Sequence, residues 1–87
     1  MKIIITDKKP AVMGGAAFFT GTAGACSFQA KVYDMPSCFG INEGRISKLV
    51  LQDASGTTFA AYDRGWDILP RTQEQLDTLQ AVVDHFA

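Results

Sequence analysis

The segment YDRGWD, residues 62–67, concentrates side chains that can grip a ligand or stack on it. It holds a phenol, two carboxylates, a guanidinium and the only tryptophan of the chain around a single glycine. An arginine guanidinium pairs with phosphate or carboxylate oxygens through two parallel hydrogen bonds, and tyrosine and tryptophan offer flat faces for stacking. The same three residue types are the usual anchors of protein–protein contacts. The segment therefore predicts a site for a flat, anionic ligand or a protein-contact site.

A second unusual stretch, DMPSCFGINEGR, covers residues 34–45 and joins two predicted strands by a long connection. It adds a carboxamide, which can read the polar edges of a ligand, and a second guanidinium. The candidate binding residues of the two stretches are Asn42, Arg45, Tyr62, Asp63, Arg64 and Trp66. A purely structural role is an equally weighted alternative, in which the arginines pair with nearby aspartates and Trp66 caps the edge of the core.

The elements that must position these residues are mostly strands. Alternating apolar and polar residues predict strands over residues 26–34 and 45–52. Residues 53–56 predict a hairpin loop with Gly56 in the left-handed conformation, followed by a partner strand over 57–63. Earlier in the chain, two further strands are predicted over 2–6 and 16–22, with a turn at Asp7–Pro10 and a bulge or turn at Met13–Gly15.

The last part of the chain predicts one amphipathic helix, from about residue 72 to residue 86. Thr72 can cap its first turn, with Gln75 as the reciprocal partner three residues later. Apolar residues then recur at the three- and four-residue spacing of a helix that buries one face. We expect this face to pack through Leu76, Leu79, Val83 and Phe86. The fold class is α+β, an antiparallel β-meander of four to five strands packed by one C-terminal α-helix.

Antiparallel connectivity predicts that the two unusual stretches lie close together. The 34–45 connection leaves and re-enters the sheet at one end, and the 57–63 strand finishes at that same end, because the 53–56 hairpin lies at the opposite one. We therefore expect Tyr33 to join the candidate residues, and Arg45 and Arg64 to face one shared pocket.

Composition narrows the function classes. The chain has 87 residues, with eight Lys and Arg against nine Asp and Glu and a net charge of −1. Binding to a nucleic acid duplex usually needs a broad basic surface, so we do not expect it. The apolar run in MKIIITDKK is too short for a signal peptide or a membrane span, which favours a cytoplasmic protein. A chain this short buries a modest share of its surface, so we expect a homo-oligomer.

Catalytic and metal-binding patterns are scarce. The chain has two cysteines and one histidine, whereas structural zinc typically takes four such ligands. Cys26 and Cys38 are expected to be free, half-buried thiols. His85 falls in the last turn of the predicted helix, where the helix dipole favours it. We expect no metal and no cofactor, and a non-enzymatic function; a small hydrolase using Asp63 or Asp67 is the weaker alternative.

Two blocks of the sequence resemble a known group of proteins. The blocks AKVYD-x-PS-x-FGIN-x-GRISKL and YDRGWD-x-x-P occupy residues 30–49 and 62–70. They resemble a small uncharacterised family of bacteriophages and bacterial mobile elements. The resemblance implies a phage-type setting in the cytoplasm of the host cell, where small proteins often disarm host defences.

Two function hypotheses follow for this setting. In the first, the chain is a counter-defence binding protein that sequesters an anionic, nucleotide-like ligand; the arginines meet phosphates, and Tyr62 and Trp66 stack on a base or ribose. In the alternative, the same side chains form the contact surface of an anti-CRISPR-like inhibitor that binds a host defence protein.

Overall fold

Six strands follow one another across a single antiparallel sheet in the residues that the computed structural model describes, 1–10 and 15–87. Each strand pairs with its neighbours in the sequence. The strands are β1 (Ile3–Pro10), β2 (Ala16–Ala23), β3 (Cys26–Tyr33), β4 (Ile46–Gln52), β5 (Thr58–Asp63) and β6 (Trp66–Ile68), followed by helix α1 (Gln73–His85). A short 3-10 helix (Ile41–Glu43) lies in the connection between β3 and β4.

The predicted antiparallel meander with one C-terminal helix is confirmed, but the predicted number of four to five strands is wrong. The sixth strand, β6, has three residues only and pairs with β5. The turn predicted at Asp7–Pro10 is also wrong, because β1 continues through Pro10 after a bulge between Ile5 and Asp7. A proline is tolerated there since β1 is an edge strand. Of the bulge or turn predicted at Met13–Gly15, only Gly15 lies within the described residues.

One face of the sheet carries the core. Phe28, Ala30 and Val32 of β3 are buried, and the first two lie opposite Leu51 and Leu49 of β4. This alternation is the period of a strand with one buried face. We call this side the core face and the opposite side the open face.

Helix α1 closes the core face over β1 and β2. The ring of Phe86 lies 4.9 Å from that of Phe19 and 6.1 Å from that of Phe28, centroid to centroid. Aromatic pairs at these separations add to the stabilisation from burial. The end of the chain is therefore packed onto strands from its beginning.

The predicted capping box at the start of α1 is confirmed, with reciprocal hydrogen bonds between Thr72 and Gln75. The predicted packing of Leu76 is wrong, since this side chain is 44% exposed. Thr78 and Val82 are fully buried instead. The Thr78 hydroxyl donates to the Glu74 carbonyl oxygen at 2.9 Å, which satisfies its hydrogen-bonding demand inside the core. Leu79 and Val83 pack against the core from partly buried positions, and Phe86 is buried, as predicted.

The two ends of the sheet differ in their connections. At one end, which we call the turn end, short loops join β2 to β3 and β4 to β5; Gly24 and Gly56 have φ values of +60° and +86° there. The Asp53 carboxylate accepts hydrogen bonds from the Ser55 hydroxyl and from the Thr57 backbone N–H. These bonds, that from Ser55 foremost, hold the pKa of Asp53 below its ordinary value. The predicted hairpin with a left-handed Gly56 is confirmed.

The other end carries the 34–45 connection and the tight 64–65 turn, and we call it the groove end. Both cysteines are free thiols, and Cys38 in the long connection is exposed rather than half-buried as predicted. In the described residues no helix is long and apolar enough to cross a membrane.

Candidate functional site

A row of side chains crosses the open face at the groove end. Strand register places Phe18 opposite Lys31, Lys31 opposite Lys48, and Lys48 opposite Asp63. Directly opposed residues of antiparallel strands point to the same face and lie about 5 Å apart. The row therefore runs across four strands as aromatic, cation, cation, anion.

A bulge in β4 lies directly beside the pair of opposed lysines. Val32 pairs with Ile46, whereas the preceding Lys31 pairs with Lys48, so Ser47 is an extra residue in β4. Ile46 stays in the core and Lys48 reaches the open face. Bulges commonly re-aim side chains next to functional sites.

The row borders an open groove of about 850 Å³. Strands β3, β4 and β5 supply part of its lining, and the first half of the 34–45 connection supplies much of the rest. The lining residues are Gly15, Lys31, Tyr33, Asp34, Met35, Pro36, Ser37, Phe39, Ser47, Lys48, Asp63 and Arg64. Pockets of this size accommodate a nucleotide-sized molecule.

The charges in the groove are only partly compensated. The Lys48 Nζ lies 3.7 Å from the Asp63 Oδ2, and both side chains are about half exposed. The Lys31 Nζ lies 5.6 Å from the centroid of the Phe18 ring and 5.2 Å from that of Tyr33. In the described residues Lys31 has no carboxylate within 4 Å. The negative faces of the Phe18 and Tyr33 rings are therefore the groups that attract its ammonium.

Arg64 stands at the rim of the groove in an unusual backbone conformation. Its φ is +58°, which L-residues other than Asn and Asp seldom adopt. Its backbone N–H donates to the Ser47 carbonyl oxygen at 3.0 Å. Its guanidinium carbon lies 4.3 Å from the centroid of the Phe39 ring, a cation–π contact that leaves the side chain exposed.

Tyr62 and Trp66 serve a different purpose from Arg64. Tyr62 belongs to the buried core, and its hydroxyl donates to the Phe39 carbonyl oxygen at 2.7 Å. The Trp66 ring meets the Tyr62 ring edge to face at 5.1 Å. Neither ring lines the groove. The segment YDRGWD therefore contains two kinds of residue. Tyr62 and Trp66 pack against each other and hold the turn between β5 and β6 in place, whereas Asp63 and Arg64 border the groove.

Asn42 and Arg45 lie at the same end of the sheet but outside the groove lining. The Arg45 Nε donates to the Tyr33 carbonyl oxygen at 2.9 Å, which ties the two ends of the 34–45 connection together. Asn42 is exposed in the 3-10 helix with a φ of +53°. The two arginines share the groove end, and Arg64 alone of the two lines the groove.

The sequence pattern did not single out Lys31, Lys48 or Phe39 as site residues. The two lysines occupy outward positions of predicted strands, where a solvated charge is ordinary. Their opposition depends on the register between β3 and β4, which no local sequence signal marks. The aromatic Phe39 inside a glycine- and proline-containing connection is the one signal that could have been read.

The charged side chains that line the groove are three cations and two carboxylates, those of Asp34 and Asp63. In residues 1–10 and 15–87 no cluster of three or more His, Cys, Asp or Glu side chains could hold a metal ion. The Asp63 carboxylate neighbours the Lys48 ammonium. The arrangement is suited to binding an anion next to a flat aromatic surface.

Comparison with known proteins gives a family but no activity. Residues 17–87 match DUF7678, a family of domains of unknown function. The match runs from β2 to the end of the chain, so the chain belongs to this family. No curated protein and no solved structure matches it significantly.

Proposed function

We propose that this DUF7678 protein is a binding protein whose groove holds a small anionic ligand that carries a flat ring. The observation that supports the proposal is the direct opposition of Lys31 and Lys48 at the groove. Like charges directly opposite each other on adjacent strands destabilise a sheet. An anion bound between the two ammonium groups would remove that cost.

The surroundings of the two lysines suit a phosphate joined to an aromatic base. Asp63 compensates Lys48 in part, and Arg64 adds a further positive charge beside the two lysines to meet the ligand. A guanidinium pairs well with phosphate oxygens. The aromatic side chains of Tyr33 and Phe39 also line the groove, beside Lys31 and Arg64. An anionic nucleotide therefore matches the groove better than inorganic phosphate does.

Isothermal titration calorimetry with adenosine monophosphate, a cyclic dinucleotide, adenosine and inorganic phosphate tests this proposal. We expect the two nucleotides to bind, and Lys31→Gln and Arg64→Ala each to weaken binding by about tenfold or more, since a charge-assisted contact contributes roughly 2 kcal/mol. Lys2→Gln, outside the groove, is the matched control. If neither nucleotide binds, or if Lys2→Gln weakens binding as much as Lys31→Gln does, the proposal is wrong.

The biological setting that we propose rests on the resemblance of the two sequence blocks to phage and mobile-element proteins. In the cytoplasm of an infected bacterium, a small protein that holds a nucleotide tightly can remove a signal on which a host defence depends. Expression of the chain beside such a defence system should lower the free nucleotide signal, and Arg64→Ala should abolish this effect.

A second candidate, inhibition of a host defence protein by direct contact, is favoured by the apolar residues around the groove. Phe18, Met35 and Phe39 are 45%, 74% and 50% exposed. Aromatic residues and methionine are enriched at protein interfaces. Phe39→Ser would then abolish binding to the purified defence protein, whereas Lys31→Gln would weaken it little. The opposite ranking of the two variants in nucleotide binding separates the two candidates.

A further inference from the structure

Strand β1 forms one edge of the sheet, and its two halves differ in how they are protected. The second half carries Asp7, Lys8, Lys9 and Pro10 and follows a bulge. Charges, proline and bulges are the usual devices that keep an edge strand from pairing with another chain. The first half has none of these devices. It consists of three consecutive isoleucines, and the side chain of Ile4 is 45% exposed.

The backbone hydrogen bonds show which residues of this half have unused groups. The Lys2 carbonyl oxygen accepts from the Gly24 N–H, and the Ile4 carbonyl oxygen lies close against Gly21. Both carbonyls therefore point toward β2. Because the direction alternates along an antiparallel strand, the N–H and C=O groups of Ile3 and Ile5 point away from the sheet.

We propose that two copies of the chain pair antiparallel through this edge, with Ile4 opposite Ile4 of the second copy. Ile3 then lies opposite Ile5 of the second copy, and the outward groups of each meet those of the other as hydrogen-bonded pairs. The two Ile4 residues form a non-hydrogen-bonded pair, in which side chains are closest. The result is a continuous twelve-stranded sheet, twice the observed six, with a two-fold axis at Ile4.

The register is selective because neighbouring registers fail. A shift by one residue would bring core-face and open-face side chains into opposition, which antiparallel pairing does not allow. A shift by two toward the bulge would oppose Lys2 and Lys8, two like charges, and would set Ile3 of the core face against Asp7, which lies on the open face beyond the bulge. A shift by two the other way would set Ile4 opposite Lys2. In the proposed register Ile3 and Ile5, which already pack on the core, extend the core face across the axis. Helix α1 lies over β1 and β2, so the two helices flank the axis on one side.

Sedimentation velocity over a concentration series tests the association. We expect the wild-type chain to sediment as a dimer at high micromolar concentration and Ile4→Lys to sediment as a monomer. The variant should melt at the temperature of dilute, monomeric wild type, because Ile4 lies on the open face and only the dimer is lost. Ser27→Lys, exposed on the same face but in an interior strand, is the matched control and should remain dimeric. A wild-type monomer at all concentrations, or a dimeric Ile4→Lys variant, would overturn the proposal.

Disulfide cross-linking tests the register itself, in a chain that also carries Cys26→Ser and Cys38→Ser. Oxidised Ile4→Cys should form a covalent dimer, since opposed residues in a non-hydrogen-bonded pair bring their Cα atoms to about 4.5 Å, within the range for a disulfide. Thr6→Cys should not, because the two equivalent positions would be about 13 Å apart along the strands. Cross-linking of the Thr6 variant in place of the Ile4 variant would overturn the register.

Discussion

The two ends of the sheet solve the same geometric problem with different residues. At the turn end, glycines occupy the left-handed positions, at Gly24 and Gly56. At the groove end, Gly15 also has a positive φ, but so do Asn42, Glu43 and Arg64, which are not glycines. Side chains in this conformation cost stability, and this cost falls at the groove end of the sheet, where Arg64 lines the groove. The comparison teaches that the groove end retains side chains where glycine would be more stable.

The largest expected effect concerns the closure of the 34–45 connection. A Cβ on Gly40 would collide with the backbone carbonyl of Gly44, so Gly40→Ala should lower the free energy of unfolding by about 3 kcal/mol, as overpacking does. At the turn end, a Cβ on Gly56 would contact nothing within 4 Å. Gly56→Ala should therefore lower the free energy of unfolding only through the strain of its positive φ, by about 1–2 kcal/mol. Chemical denaturation of both variants measures the difference. Equal losses of stability in the two variants would show that Gly40 is no more tightly packed than Gly56.

A smaller loss of stability is expected when the Tyr62 hydroxyl is removed. Tyr62→Phe removes the hydrogen bond to the Phe39 carbonyl oxygen, and we expect a loss of about 1–2 kcal/mol, because the acceptor then lacks its partner. Urea denaturation gives the value. Nucleotide affinity should change less than in Arg64→Ala, since the phenol does not line the groove. A Tyr62→Phe variant with full stability would show that this bond does not hold the connection.

Arg64 allows stability and binding to be separated at one position. Both Arg64→Gly and Arg64→Ala remove the guanidinium and its contact with Phe39. The glycine variant should nevertheless be more stable than the alanine variant by about 1 kcal/mol, because alanine keeps the strain of a positive φ. Thermal melts of the pair, run beside calorimetry, should show different stabilities and the same loss of binding. Equal melting temperatures would mean that the turn relaxes when the arginine is removed.

The smallest expected effect lies at the turn end and depends on pH. The pKa of Asp53 is lowered from its ordinary value of 3.8. A carboxylate with a lowered pKa in the folded state stabilises above its unfolded pKa, and this contribution is lost as the pH falls through the folded pKa. Asp53→Asn should therefore be less stable than wild type at pH 7, with the difference shrinking below about pH 4. Ser55→Ala should raise the pKa of Asp53 in an NMR titration; an unchanged value would exclude Ser55 as the main donor.

Much of the fold could be predicted because its signals are local. The capping box at Thr72 and the alternation around Phe28 depend on residues near each other in the chain. Strand β6 was missed because three residues before a leucine and a proline carry almost no periodicity. The burial of Thr78 in place of Leu76 could not be predicted, since it depends on a hydroxyl bonded within the helix.

The candidate site was predictable in part for the same reason. Antiparallel connectivity brought Arg45 and Arg64 to one end of the sheet, and that much follows from the order of the strands. Which side chains share a groove depends on the register between strands, which pairs Lys31 with Lys48 and Lys48 with Asp63. The residues Asp63 and Arg64 reach the groove as a result, and Lys31 and Lys48 meet there without a sequence motif.

The packing of Phe86 on Phe19 and Phe28 has a consequence for the order of folding. Each strand pairs only with its sequence neighbours, so hairpins can form one after another from contacts that are mostly local in the sequence. The core face over β1 and β2 is covered only when the last turn of α1 arrives. A first hairpin that forms before α1 docks is therefore paired but uncovered on its core face.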